Sequence, residues 1–232
     1  MRLSVIIPTI NEAKRIQQLV KHLNNHGGNE LEEIIVVDAG STDMTCQLAR
    51  DAGAKVLEVE QKSRAIQMNI AAAKSKGDVL YFVHADTLPP ESYVTDIEDA
   101  LDSGHTAGSY RFKFDSKSKL LGINSFFTRF DALVCRGGDQ SMFITRELFA
   151  SMDGFDEAFV IMEDFDFIRR LKKKTDFHVI QKDILVSDRK YENNSYLRVQ
   201  IANFLAFSMF KRGITQQRIK SFYERILDLS YD

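Results

Sequence analysis

The sequence predicts an α/β fold: a mainly parallel central sheet flanked by helices, with further helices at the C-terminal end. Strongly apolar, β-branched runs recur through the first half, and helical patterns separate them. Such alternation builds right-handed βαβ units whose strands lie parallel and covered on both faces. The second half is less regular, mixing alternating strands with amphipathic helices.

In chain order, LSVIIP (3–8) reads as a buried strand and EAKRIQQLVKHLNN (12–25) as a helix. EEIIVVD (32–38) is a second strand. STDMTCQLARDAG (41–53) is a helix capped by Ser41 or Thr42 and stopped by Gly53. AKVLEVE (54–60) is a third strand, SRAIQMNIAAAKSKG (63–77) a helix ended by Gly77, and DVLYFVHAD (78–86) a fourth strand. Beyond it, ESYVTDIEDALDSG (91–104) is helical, TAGSYRFKF (106–114) alternates like a half-exposed strand, and KLLGINSFFTRFDALV (119–134) is helical. GDQSMFIT (138–145) is a strand, followed by a short helix ended near Gly154. EDFDFIRRLKKK (163–174) carries acids at its start and bases at its end, which suits a helix dipole. FHVIQKDILVS (177–187) is a strand, and two helices finish the chain.

Composition narrows the classes. The 232 residues, 44% hydrophobic and 28% charged, have an ordinary globular balance. A net charge of −2 gives no basic field for nucleic acid. Cys46 and Cys135 stand far apart, so no metal-site spacing or disulfide framework is expected; both read as free thiols of a reducing cytoplasm. The opening MRLSVIIPTINE lacks the long apolar region of a secretory signal. VQIANFLAFSMF (199–210) falls short of the about 20 residues of a membrane span. The wider stretch 195–213 is apolar on most faces and closes with Lys211 and Arg212. We expect it to pack against the domain or a dimer partner; an interfacial helix lying on a membrane is the alternative.

Ligands of open parallel sheets sit at the carboxyl ends of the strands. There the sequence places Asn11 and Glu12, then Asp38, then Gln61 to Arg64, and finally His84 and Asp86. If strand geometry extends that far, His84 and Asp86 share a face. Neither GxxxxGK[ST] nor GxGxxG is present, so a phosphorylated ligand needs another counter-charge. A divalent metal held by one carboxylate and the ligand's own phosphates supplies it.

The segments SVIIPTINE, IIVVDAGSTD, RAIQMNIAAAKSKGDVLYFVHADT and MEDFDFIRRL, in this order, resemble family 2 glycosyltransferases of the GT-A fold over roughly residues 3 to 175. GGDQSMFITRELF (137–149) and SDRKYENN (187–194) resemble its short bacterial subgroup called transferase 2, associated with radical-SAM and selenodomain proteins and labelled arsenosugar-type.

The resemblance implies a sugar, of hexosyl type, moved from a nucleotide-diphosphate donor to an acceptor hydroxyl with inversion. His84-Ala85-Asp86 stands where the family writes Asp-x-Asp. Asp86 then binds the metal, Mn²⁺ or Mg²⁺, and His84 replaces an acid beside the ribose, adding no negative charge. Glu12 and Asp38 are implied as nucleoside contacts, with Asp43 a lesser one or a helix cap, and Arg64 as a donor contact or a surface ion pair. Glu163-Asp164 matches the family's Glu-Asp pair, with Asp164 as catalytic base. Asp139 is a candidate on the acceptor side, which would take a small-molecule or lipid-linked acceptor.

On this reading residues 1–232 are one domain. About 1–104 bind the nucleotide sugar, about 105–194 form the acceptor and catalytic half, and about 195–232 are C-terminal helices. The bland expectations are surface or core roles for His22, His26 and His178, a solvated helix end for RRLKKK, and core positions for Phe126, Phe127 and Phe130. A catalytically inactive sugar-nucleotide-binding protein is the rival reading. A nucleotidyltransferase is disfavoured, because PTINEAKR offers no glycine for a basic loop.

Overall fold

Alternation along the first strands sorts their side chains into two cores. Val5 and Ile7, Ile34 and Val36, and Val79 and Tyr81 face one layer of helices; Ile6, Ile35 and Val37, and Leu80 and Phe82 face the other. With both faces covered, these strands lose their polar side altogether, which is why they read as unbroken apolar runs. Each side chain so buried stabilises the fold by about 1.5–3 kcal/mol.

The computed structural model describes residues 1–116, 118–130, 132–133 and 141–228. Its elements are β1 (Leu3–Thr9), α1 (Ile16–His26), β2 (Leu31–Asp38), α2 (Thr45–Asp51), β3 (Lys55–Glu58), α3 (Arg64–Lys74), β4 (Val79–Phe82) and β5 (Thr87–Leu88). They continue with α4 (Tyr93–Asp102), β6 (Ala107–Phe114), α5 (Lys119–Phe127), β7 (Met142–Thr145), α6 (Arg146–Ser151), α7 (Glu163–Leu171) and β8 (His178–Val186). A 3₁₀ turn at Arg189–Tyr191 precedes α8 (Tyr196–Lys211) and α9 (Gln216–Ile226).

Eight strands form one sheet in the order β3-β2-β1-β4-β7-β6-β8-β5. The first four are parallel, as expected. The sheet then becomes mixed: β7 runs antiparallel to β4 and β6, β6 and β8 are parallel, and β5 is antiparallel to β8. The carboxyl ends of β1 to β4 therefore share one edge.

Several expectations need correction. The fourth strand stops at Phe82, because after Val83 donates to Ile6 the chain turns, with Thr87 N–H donating to the His84 carbonyl. His84 and Asp86 thus lie in a turn, and the shared-face argument does not apply to them. The helix after β2 begins at Thr45, and Asp43 accepts the Thr45 N–H, whereas Ser41 serves Asp38. Finally, α5 ends at Phe127, where Thr128 Oγ1 turns back to the Phe112 backbone. Phe126, Phe127 and Phe130 are about half exposed and are not core.

α7 behaves as its charge pattern suggests, but RRLKKK is more than a solvated end. Arg169 and Arg170 both pair with the buried Asp166, and Arg170 also donates to the Met152 and Gly154 carbonyls.

Candidate functional site

The carboxyl edge of β1 to β4 gathers an acid from the ends of β1, β2 and β4 and Arg64 from the segment after β3. After β1, Asn11 takes a left-handed backbone (φ 53°) and delivers Glu12 into the interior. The Glu12 N–H donates to Thr45 Oγ1 at 2.8 Å, and the Asn11 carboxamide oxygen accepts the Thr42 N–H at 2.9 Å. The loops after β1 and β2 are thereby stitched together. Strained backbone of this kind in a non-glycine residue persists only where its surroundings impose it, and it gathers at functional sites.

Asp38 closes β2 and is buried. Its oxygens accept from the N–H groups of Gly40 (3.0 Å) and Ser41 (2.7 Å), from the Ser41 hydroxyl and from Thr9. In this conformation Asp38 shapes the loop at residues 39–42. Asp43 plays a similar part beside it. Burial alone would raise its carboxyl, but hydrogen bonds from Thr45 and Ala13 prevail and hold it below the usual range. Cys46, close by, is a free thiol pushed up to about 11 by burial and then by Asp38, so it is not a poised nucleophile.

Asp86 sits in the turn after β4, partly exposed, with His84 partly buried two residues before it. The two-residue strand β5 pairs with the end of β8, and Ser187 N–H donates to the Asp86 carbonyl. That short ladder carries Arg189 across the edge. Its Nη2 lies 2.8 Å from Glu12 Oε1 and 3.2 Å from Asp86 Oδ2, so one guanidinium bridges two acids. The Glu12 carboxyl is raised above its ordinary value, chiefly by burial, while Arg189 pulls it back and Asp86 pushes it up. Glu12 Oε2 is buried and accepts no hydrogen bond; Arg15 stands 3.9 Å away.

The second acidic group arrives with α7. Met162, again left-handed (φ 65°), precedes Glu163. Glu163 is buried at 2% exposure, and its Oε1 lies 2.7 Å from Arg64 Nε, an ion pair and not a directed hydrogen bond. Arg64 opens α3 and Glu163 opens α7, so this contact brings the start of α7 to the sheet edge. Asn69 of α3 braces the approach by bonding the Phe155 backbone in both directions, at 2.9 Å each. Gln67 of α3 donates to the carbonyls of Thr9 and Val37 at the ends of β1 and β2. Asp164, next to the buried Glu163, stays partly exposed.

The sequence-predicted residues Glu12, Asp86, Arg64 and Glu163 are therefore drawn into two ion-paired groups at one edge. Asp139 lies outside the described residues, as do Gly137, Gly138 and Cys135. Sequence reasoning missed Arg189, Gln67 and Asn69, which act at separations that only the fold closes.

Among the described residues no group of three or more His, Cys, Asp or Glu side chains could by itself hold a metal. The donor set nevertheless suits a hard divalent ion bound through few protein atoms: Asp86 is partly exposed, and the buried carboxylate Glu12 shares its counter-ion. Such an ion takes its remaining oxygens from phosphate and water.

Residues 4–149 match the family described as Glycosyl transferase family 2. Among curated proteins, the chain is similar to glucosyl-3-phosphoglycerate synthase of Mycolicibacterium smegmatis, with 33% identity over 98 residues, or 38% of this chain and 32% of that protein. The match thus spans about a third of that relative's length. Among solved structures, TarS of S. aureus in complex with UDP-GlcNAc superposes with a TM-score of 0.68 at 18% identity, covering 97% of this chain and 71% of that one. Mannosyltransferase PcManGT from Pyrobaculum calidifontis, in complex with GDP-Man and Mn²⁺, gives 0.68 at 19% identity, covering 91% and 64%. At these identities the likeness is one of fold, and that fold is the GT-A arrangement expected from the sequence.

Proposed function

The chain belongs to glycosyl transferase family 2, and from that premise we propose that it moves a hexosyl group from a nucleotide-diphosphate sugar to an acceptor hydroxyl with inversion. The observation that carries this reading is the Arg64–Glu163 contact, which holds the start of α7 against the sheet edge where Glu12, Asp38 and Asp86 end their strands or loops. One carboxylate base brought to a nucleotide-type edge is what one-step displacement needs.

The donor's nucleoside lies along the loops after β1 and β2, which Asp38 and Asp43 keep in shape. His84 offers a ring nitrogen to a ribose hydroxyl. Asp86, with Glu12 near it, would hold Mn²⁺ or Mg²⁺, and that ion would supply Lewis-acid stabilisation of the departing diphosphate. PcManGT, which shares the fold, is bound to Mn²⁺ together with its nucleotide sugar. Arg189 provides a second positive charge at the same point.

Asp164 acts as general base. The acceptor oxygen attacks the anomeric carbon, its proton passes to the Asp164 carboxylate, and the bond from that carbon to the diphosphate oxygen breaks with its electron pair leaving on the nucleoside diphosphate. General-base assistance of this kind is worth about 10²–10⁴-fold. Glu163 is too buried to meet an acceptor and positions Asp164 through its hold on Arg64. Asp139 belongs to the acceptor side in this reading. Residues 1–232 work as one transferase domain, of the transferase 2 type, at the cytoplasmic side of the cell.

The test is binding of a panel of UDP- and GDP-sugars to the wild type and to Asp86→Ala, with Mn²⁺ and with chelator. One donor should bind with metal only, and Asp86→Ala should lose it. Metal-independent binding that survives Asp86→Ala would overturn the assignment of Asp86.

A further inference from the structure

α8 packs one face and leaves another open. Val199, Ala202, Ala206 and Phe210 face inward, the last two against Ile219 of α9. Leu197, Ile201 and Phe204 stand 66%, 47% and 68% exposed on a neighbouring stripe. Residues spaced three and four apart share a helix face, so these three form one apolar strip. α5 carries a similar strip, with Leu120, Ile123 and Phe127 each about half exposed. Asn124 lies on that strip, and its side chain accepts the Tyr196 hydroxyl at 2.9 Å. The start of α8 is thus tied to the middle of α5.

The charge that the two helices themselves carry is one-sided. Residues 119–130 and 195–214 hold Lys119, Arg129, Arg198, Lys211 and Arg212 and not one Asp or Glu, in a chain whose net charge is −2. Exposed apolar side chains on two helices whose own charged residues are all bases match an anionic lipid surface, where the rings and branched chains enter the headgroup boundary and the long basic side chains reach the phosphates; the acids nearby, Asp188 and Glu192, line the groove at the start of α8. A second copy of the same face would set five bases against five, and like charges oppose such pairing. α8 has 16 residues, and no described helix is long and apolar enough to cross a membrane. A helix of this kind lies in the plane of the surface.

We propose that the α5–α8 face docks this protein on bilayers rich in acidic lipid. The inference is independent of the transfer reaction, since it uses none of the site residues.

The experiment is co-sedimentation of the intact chain with vesicles of phosphatidylcholine alone and of phosphatidylcholine with phosphatidylglycerol in equal parts, at low and high salt. Binding should need the acidic lipid and weaken with salt. Phe204→Ser should lower it by about tenfold or more. Arg198→Gln and Lys211→Gln should each lower it by about fivefold. All three positions are exposed, and unchanged melting curves confirm folding. No binding to the mixed vesicles, or binding indifferent to all three substitutions, overturns the proposal. So does sedimentation equilibrium showing a dimer that Phe204→Ser dissociates, because a second copy would then own the face.

Discussion

The Arg64 guanidinium lies 2.7 Å from the Glu163 carboxylate and joins the first residue of α3 to the first residue of α7. Glu163 is almost fully buried while Arg64 is 42% exposed. Removing the arginine strands a buried charge, which costs about 3–5 kcal/mol in a closed interior; solvent on the Arg64 side reduces this. Arg64→Ala should therefore destabilise by about 1–2 kcal/mol in urea unfolding, and donor turnover should fall more than this stability loss explains, because α7 loses its anchor at the edge.

Two acids of α7 should separate cleanly under mutation. Asp166 is held by Arg169 and Arg170, so Asp166→Asn should lower stability by about 2 kcal/mol and leave the donor KM unchanged. Asp164→Asn should instead lower kcat by about 10²–10⁴-fold. Melting curves and steady-state kinetics on both variants check the pair.

Glu12 predicts a pH dependence. Its folded carboxyl titrates above the free value of 4.5, with burial the largest cause. A raised carboxyl favours the protonated folded state, so its contribution to stability is complete below the free value and is lost as pH rises through the folded one. Glu12→Gln should become progressively more stable than the wild type across that window and hold the advantage at neutral pH. Urea midpoints at several pH values test this; an advantage that grows toward acid would contradict it. A charge kept at the expense of stability is the mark of a site held for function.

Arg189 competes with any cation for Asp86, since one of its nitrogens already bridges Asp86 and Glu12. Arg189→Ala should tighten Mn²⁺ binding to the donor-free protein by about tenfold, or about 1.4 kcal/mol. Calorimetric titration reads this directly, and weaker or equal binding would rule the competition out.

Much of this arrangement was legible in the sequence where local rules suffice. The uniform apolar strands announced a two-sided sheet, and Glu12, Asp38 and Asp86 followed from the rule that strand ends face the ligand. Arg189 was not legible as a site residue. It reaches Glu12 only because β5, two residues long, pairs with β8, and so short a strand leaves no periodic signal. The strand end before His84 was misplaced because Val83 is as apolar as the strand itself, and only the ladder to β1 shows where pairing stops. Glu163, Asp164 and Asp166 together exceed what capping a first turn needs, but nothing in the sequence singles out Asp166 among them. Its partners, Arg169 and Arg170, sit three and four residues on, a spacing the sequence displays but does not by itself distinguish from a solvated helix end. The open strip of α5 looked like core, because composition cannot say which apolar helix face finds a neighbour.

The central claim is that a metal-assisted donor site is paired with Asp164 as base. It is tested most directly by slow hydrolysis of the bound nucleotide sugar, with water as acceptor, in Mn²⁺, comparing wild type and Asp164→Asn at equal donor occupancy. The account predicts donor binding unchanged and hydrolysis lowered by at least about 10²-fold in the variant. Equal hydrolysis by the two proteins, or none by the wild type with donor fully bound, would contradict it and favour a chain that binds nucleotide sugars without turning them over.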